Sequence, residues 1–171
     1  FNQMLTQIEL QSDTISETVA ETTKLAAIVE FSNDPIISMS PDGTITSWNH
    51  SADRTFGYTA EDLLGKSILA IVPPERREEE AEIQARLERG ERIDQFETQR
   101  LTKANKLLDV SLTISPVKDA AGRIIGSSKI ARDITERKQA ERRKNDFIGM
   151  VSHELKTPLT STRSYIQVLL M

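Results

Sequence analysis

Residues Pro35-Ile36-Ile37-Ser38-Met39-Ser40 and Thr44-Ile45-Thr46-Ser47-Trp48 flank the tripeptide Pro41-Asp42-Gly43. Two short apolar segments around a turn of that composition read as a β-hairpin. Downstream, Asn49 has the chemistry of a helix N-cap, and Gly57 closes that short helix. Thr59 begins a capping box with Asp62, and Gly65 ends the turn. Pro73-Pro74 opens a charged helix spanning residues 75–89, stopped by Gly90. Three strands are expected next, over residues 93–101, 106–116 and 123–132. In the middle one Leu108, Val110, Leu112 and Ile114 alternate with Asp109, Ser111 and Thr113, giving one buried and one wet face. Two strands, several short helices and three strands predict an α+β fold: a five-stranded antiparallel sheet with its helices on one face.

Upstream, residues 1–30 contain no Gly or Pro. Alternate steps of four and three give Phe1, Leu5, Ile8, Ser12, Ile15, Val19, Thr22, Ala26 and Val29, an a/d seam interrupted by Ser12 and Thr22. One helix cannot bury so narrow a stripe, so a parallel coiled-coil dimer is expected; the competing reading is an amphipathic helix lying on its own domain. After residue 135 glycine recurs only at Gly149. Asp133 and Glu136 have capping-box spacing, residues 137–144 are mostly charged, and Phe147, Ile148, Val151, Leu155, Leu159, Ile166 and Leu169 form a helical stripe.

Composition narrows the function. The 171 residues carry a net charge of −4 and no face that looks uniformly basic, which gives no reason to expect nucleic acid as a partner. No stretch is apolar enough for a membrane span, and no secretion signal is evident. Zero cysteines exclude disulfides, thiolate metal sites and cysteine-adduct flavin photochemistry. With only His50 and His153, a multi-histidine metal site is hard to build, and no metal or bound cofactor is expected in these residues. The run from Glu75 to Glu80 reads as a solvated helical face with pairs of the Arg76–Glu80 type.

Trp48-Asn49, Phe56-Gly57-Tyr58, Glu61, Gly65-Lys66, Pro73 and Asp133-Ile134-Thr135 together resemble a PAS domain. That resemblance implies a sensory or dimerising module whose ligand, unknown here, sits between sheet and helices; side chains of the domain's own can also fill that space. Heme-binding members take their axial histidine from the later helix, which has none here, so His50 is expected to be an ordinary surface residue. Phe1-Asn2-Gln3-Met4-Leu5 is similar to the end of the second helix of a HAMP domain. The expected organisation is a coiled-coil signalling helix at 1–23, a PAS sensor domain at 24–135, and a linker plus the first part of a phosphotransfer helix at 136–171.

Residues 147–160 carry the chemistry: Phe147-Ile148-Gly149-Met150-Val151-Ser152-His153-Glu154-Leu155-Lys156-Thr157-Pro158-Leu159-Thr160. At about 100° per residue, His153 lies about 200° from Val151 and about 160° the other way from Leu155. The imidazole therefore points away from the apolar seam. A neutral imidazole is a competent nucleophile toward a γ-phosphoryl group if a neighbour accepts its proton. Thr157 lies one turn on, along the same face. Pro158 removes one helical hydrogen bond, predicting a kink that costs about 3 kcal/mol.

This segment resembles the phosphoacceptor box of sensor histidine kinases, and Thr162 departs from that pattern, in which an aliphatic residue is common. The resemblance implies His153 as phosphoacceptor, Glu154 as proton acceptor and Thr157 as the residue positioning water for dephosphorylation. It also implies a homodimer through parallel coiled coils and PAS, ATP and Mg on a separate catalytic domain, and a response-regulator receiver as partner. The location implied is cytoplasmic, in a membrane-anchored bacterial sensor. Asp133, Thr135 and Pro158 are the expected transmission points. No nucleotide-binding segment appears in these residues, so they are expected not to catalyse alone. The alternatives are a ligand-binding PAS module whose last helix only dimerises, and a purely structural coiled-coil connector.

Overall fold

A computed structural model describes the backbone of residues 2–169 and the side chains of residues 3, 4 and 6–155. The chain forms two units, one ending at Asp133 and the other beginning at Ile134.

The first unit opens with helix α1 (Asn2–Glu30). Its seam residues Ile8, Ile15 and Val19 are between 57% and 63% exposed, so the helix does not bury that stripe within this chain. Thr14, Thr18 and Thr22, spaced by four, each donate a hydroxyl hydrogen bond to the carbonyl one turn back, at 2.8–2.9 Å. Strands β1 (Ile36–Met39) and β2 (Ile45–Trp48) form the expected hairpin. Its turn closes through Ser40 and Thr44, with the Asp42 carboxylate accepting from the Thr44 amide and the Ser40 hydroxyl.

Helix α2 (His50–Phe56) starts at Asn49, whose side-chain oxygen accepts from the Ala52 amide, and ends at Gly57 in the left-handed region at φ 76°. Helix α3 (Ala60–Leu63) begins with the capping box of Thr59 and Asp62. Two short 3₁₀ turns, Ile68–Ile71 and Pro74–Arg76, lead into α4 (Arg77–Glu88). The charged helix thus starts in 3₁₀ geometry at the prolines and becomes regular only at Arg77. Strands β3 (Ile93–Leu101), β4 (Leu107–Lys118) and β5 (Ile124–Asp133) complete an antiparallel sheet in the order β2-β1-β5-β4-β3.

The core lies between one sheet face and the short helices. Ile37, Met39, Trp48, Val110, Leu112, Ile114 and Ala131 of the sheet face Phe56, Leu63, Ile71, Ile83 and Leu87, all buried. Burial along β4 alternates, as its sequence requires. The Trp48 and Phe56 rings lie 5.6 Å apart, and the indole N–H donates to the Tyr58 carbonyl at 3.1 Å. β1 and β5 approach closely at Gly126, where a Cβ would stand 2.3 Å from the Met39 carbonyl oxygen.

The second unit is a single helix, α5 (Thr135–Leu169). Asp133, a candidate cap, is the last residue of β5 and pairs with Val110.

Candidate functional site

The segment around His153 lies within α5. Ser152, His153 and Glu154 are exposed on this helix, and Val151 is half-buried. The apolar stripe predicted alongside them is largely uncovered in a single chain, with Phe147 61%, Ile148 51% and Leu155 57% exposed. His153 and its sequence neighbour Glu154 are accessible in the single chain, as are the apolar positions around them. Thr157, Pro158 and Thr162 lie outside the residues whose side chains are described. The polar connector preceding the site, residues 139–147, is exposed throughout, including Glu141 and Lys144.

A second cluster escaped sequence reasoning. Arg100 on β3 and Lys129 on β5 are each 2% exposed and point into the core. Glu80 of α4 bridges them: its Oε2 accepts from an Arg100 guanidinium nitrogen at 3.2 Å, and its Oε1 accepts from the Lys129 ammonium. Arg100 also donates to the Gln99 carbonyl at 2.8 Å and to the Thr98 hydroxyl at 3.3 Å. The Thr98 hydroxyl in turn donates to Glu79 at 2.5 Å, whose other oxygen pairs with Arg76. Burial pulls the Lys129 ammonium and the Arg100 guanidinium below their ordinary pKa values, while the Glu80 charge opposes both shifts. Burial of Glu79 works against ionisation too, but hydrogen bonds from Thr98 and Arg76 outweigh it and hold that carboxyl low.

The solvated-face reading of residues 75–80 is therefore corrected. Arg76 pairs with Glu79, not Glu80, and Glu80 turns inward. The available signal was the presence of Lys129 between Ser127 and Ala131, a charge on alternating positions shared with a small apolar residue.

His50, the first residue of α2, is exposed, with Nδ1 4.0 Å from an Asp53 oxygen. Among the described residues, no three His, Cys, Asp or Glu side chains converge as a metal site, and no helix is long and apolar enough to cross a membrane.

A β-β-helices-β-β-β sheet of this order, with its core between sheet and short helices, defines the class. The chain belongs to the PAS fold family, which it matches over residues 23–134. Residues 143–171 match the His Kinase A (phospho-acceptor) domain. Among curated proteins it is 30% identical over 164 residues to the sensor protein kinase WalK of Staphylococcus aureus (strain Newman), covering 90% of this chain and 24% of that protein. The WalK of Staphylococcus haemolyticus gives 30% over 162 residues, with the same coverage. The chain thus spans about a quarter of the length of these relatives. Two solved structures share the fold. The PAS domain of a Colwellia psychrerythraea protein has a TM-score of 0.62 at 22% identity, over 67% of this chain and 98% of that one. An RNA-binding light-oxygen-voltage receptor has a TM-score of 0.66 at 19% identity, over 80% and 39% respectively.

Proposed function

We propose that this chain is the sensory and phosphoacceptor segment of a two-component sensor histidine kinase. The observation that carries this reading is the phospho-acceptor match at residues 143–171, centred on an exposed His153 in a helix that follows the last PAS strand after one residue. In the proposed reaction a His153 ring nitrogen attacks the γ-phosphorus of ATP held by a separate catalytic domain. The P–N bond forms as the bond to the bridging oxygen breaks, ADP leaves, and Glu154 accepts the imidazole proton. The phosphoryl group then passes to an aspartate of a response-regulator receiver domain. Thr157 orients the water that later dephosphorylates that partner.

Two copies are required to cover the stripe from Phe147 to Leu155 and the seam of α1, both exposed in the single chain. We place the coiled-coil signalling helix at 1–23, the sensor at 24–135 and the phosphotransfer helix from 136. The segment works on the cytoplasmic side of a membrane-anchored parent. Sensor rearrangements reach α5 through Asp133 and Thr135, and Pro158 supplies a point at which the helix bends.

The test is to supply the kinase's ATP-binding domain and ATP in trans and follow phosphate incorporation into this chain. Glu154→Gln should lower the rate by about 10²-fold or more while leaving binding of the catalytic domain intact. Thr157→Ala should spare incorporation and slow only dephosphorylation of the receiver. An inert chain would indicate that α5 is merely a connector.

A further inference from the structure

Among the buried residues of the PAS sheet, Arg100 and Lys129 are the charged ones, beside the smaller polar Thr98 and Ser127, and burying those charges has a cost. Each buried ion carries a desolvation penalty, and replacing such ions by apolar side chains of similar volume is often neutral or stabilising. Here two buried cations share one bridging carboxylate, one oxygen of Glu80 to each. This part of the core is built to hold a carboxylate between two positive groups.

The carboxylate now present belongs to a weakly anchored helix. Of the twelve residues of α4, only Ile83 and Leu87 are buried, both in its C-terminal half. In its N-terminal half, Glu79 and Glu80 are half-buried and bond to Thr98, Arg100 and Lys129 of the sheet. Two clefts lie near these contacts. One of about 160 Å³ lies between Gln84, Leu87 and Glu88 of α4 and Gly126 and Ser127 of β5, two residues from Lys129. Another of about 470 Å³ is lined by Pro73, Glu75, Arg76, Gln99 and Leu107, and so reaches Arg76, the partner of Glu79; neither cleft is lined by Arg100 or Lys129 themselves.

We propose that Arg100 and Lys129 form the receptor for a small carboxylate-bearing solute, with Glu80 as a built-in competitor that the solute displaces. Exchange of a tethered carboxylate for a free one keeps both cations paired while releasing the N-terminal half of α4 from the sheet. The signal is thus the loss of one helix anchor at constant internal charge. The inference rests on the sensor reading of the PAS unit, and it names the ligand class.

The test uses this chain with succinate and propionate as probes, chloride at matched ionic strength as control, and inorganic phosphate as competitor, read by calorimetry and thermal unfolding. The wild-type chain should bind succinate saturably. Glu80→Gln, which removes the competing charge at nearly constant shape, should bind it about tenfold tighter or more, because the open site no longer has to be won from Glu80. Its thermal stability should be restored by propionate and not by chloride. Lys129→Met, which leaves the Arg100–Glu80 pair intact, should lose binding. If Glu80→Gln does not fold, the comparison of wild type with Lys129→Met decides. No binding to wild type or Glu80→Gln, equal binding to Lys129→Met, or a preference for phosphate each overturns the proposal. None of these readouts involves His153, so their failure leaves the phosphoacceptor reading untouched.

Discussion

Asn49 ties α1, β1 and α2 of the PAS unit together through one side chain. It is 2% exposed and makes four kinds of contact. Its oxygen caps α2 by accepting from the Ala52 amide at 3.1 Å and steadies β1 by accepting from Ile36 at 2.9 Å. Its amide donates to the Val29 carbonyl at the end of α1, at 2.9 Å, and to that of Asp34. Alanine there removes a cap and strands buried partners, so Asn49→Ala should cost about 3 kcal/mol in urea unfolding, well above the loss of a lone cap. The capping role was legible, because a cap is a local event at fixed spacing. The ties to Val29 and Asp34 were not, since nothing in the sequence states which carbonyls lie across the fold.

At the scale of elements, β1 and β5 are pressed together where Gly126 meets the Met39 carbonyl. A Cβ 2.3 Å from that oxygen forces the strands apart, so Gly126→Ala should destabilise the sensor by about 1–3 kcal/mol, measured by thermal or chemical unfolding. The same sheet shows why local pattern reading placed its strands yet missed its charges. Ile93 faces inward, but β3 is irregular between Ile93 and Phe96, with Gln95 at φ 53°, and beyond that point the inward residues are Thr98 and Arg100. A bulge shifts the parity of alternation, so counting by twos from Ile93 puts Arg100 on the wrong face. In β5 the hydrophobic guess fails in the other direction: Lys129 is buried while Ile130 is 38% exposed. Helical spacing suggested pairs of the Arg76–Glu80 type, whereas Arg76 pairs with Glu79. It said nothing about strands 20 and 49 residues away whose cations draw Glu80 inward. Along α5, Arg137, Glu141 and Lys144 continue the seam backward from Ile148 as polar positions, which leaves its register weakly fixed. Glu141→Leu with Lys144→Leu should lock one signalling state in the complete kinase; a variant that responds to stimulus as the parent does would exclude register change as the transmission step.

For the whole molecule, several carboxylates titrate below their ordinary range. Asp62 is held low by hydrogen bonds from Lys103 and from the Thr59 amide, and Glu91 by Arg89 and then Arg86. Glu79 is held low although burial opposes it. Their folded pKa values lie below the unfolded ones, so the stability they provide is present at neutral pH and lost as pH falls through the carboxylate range. The urea midpoint should be flat from neutral pH to about pH 5 and decline below about pH 4. The exposed apolar residues of α1 and α5 predict a dimer at the same scale, and sedimentation of this chain should show mass rising with concentration toward twice the monomer. The proposed function turns on one imidazole. The most direct measurement is the site of phosphate in the complete kinase after incubation with ATP, mapped by mass spectrometry without acid. A single acid-labile phosphate on His153, absent from His153→Gln, is the expected result; phosphate on another residue with His153 unmodified would contradict its role as phosphoacceptor.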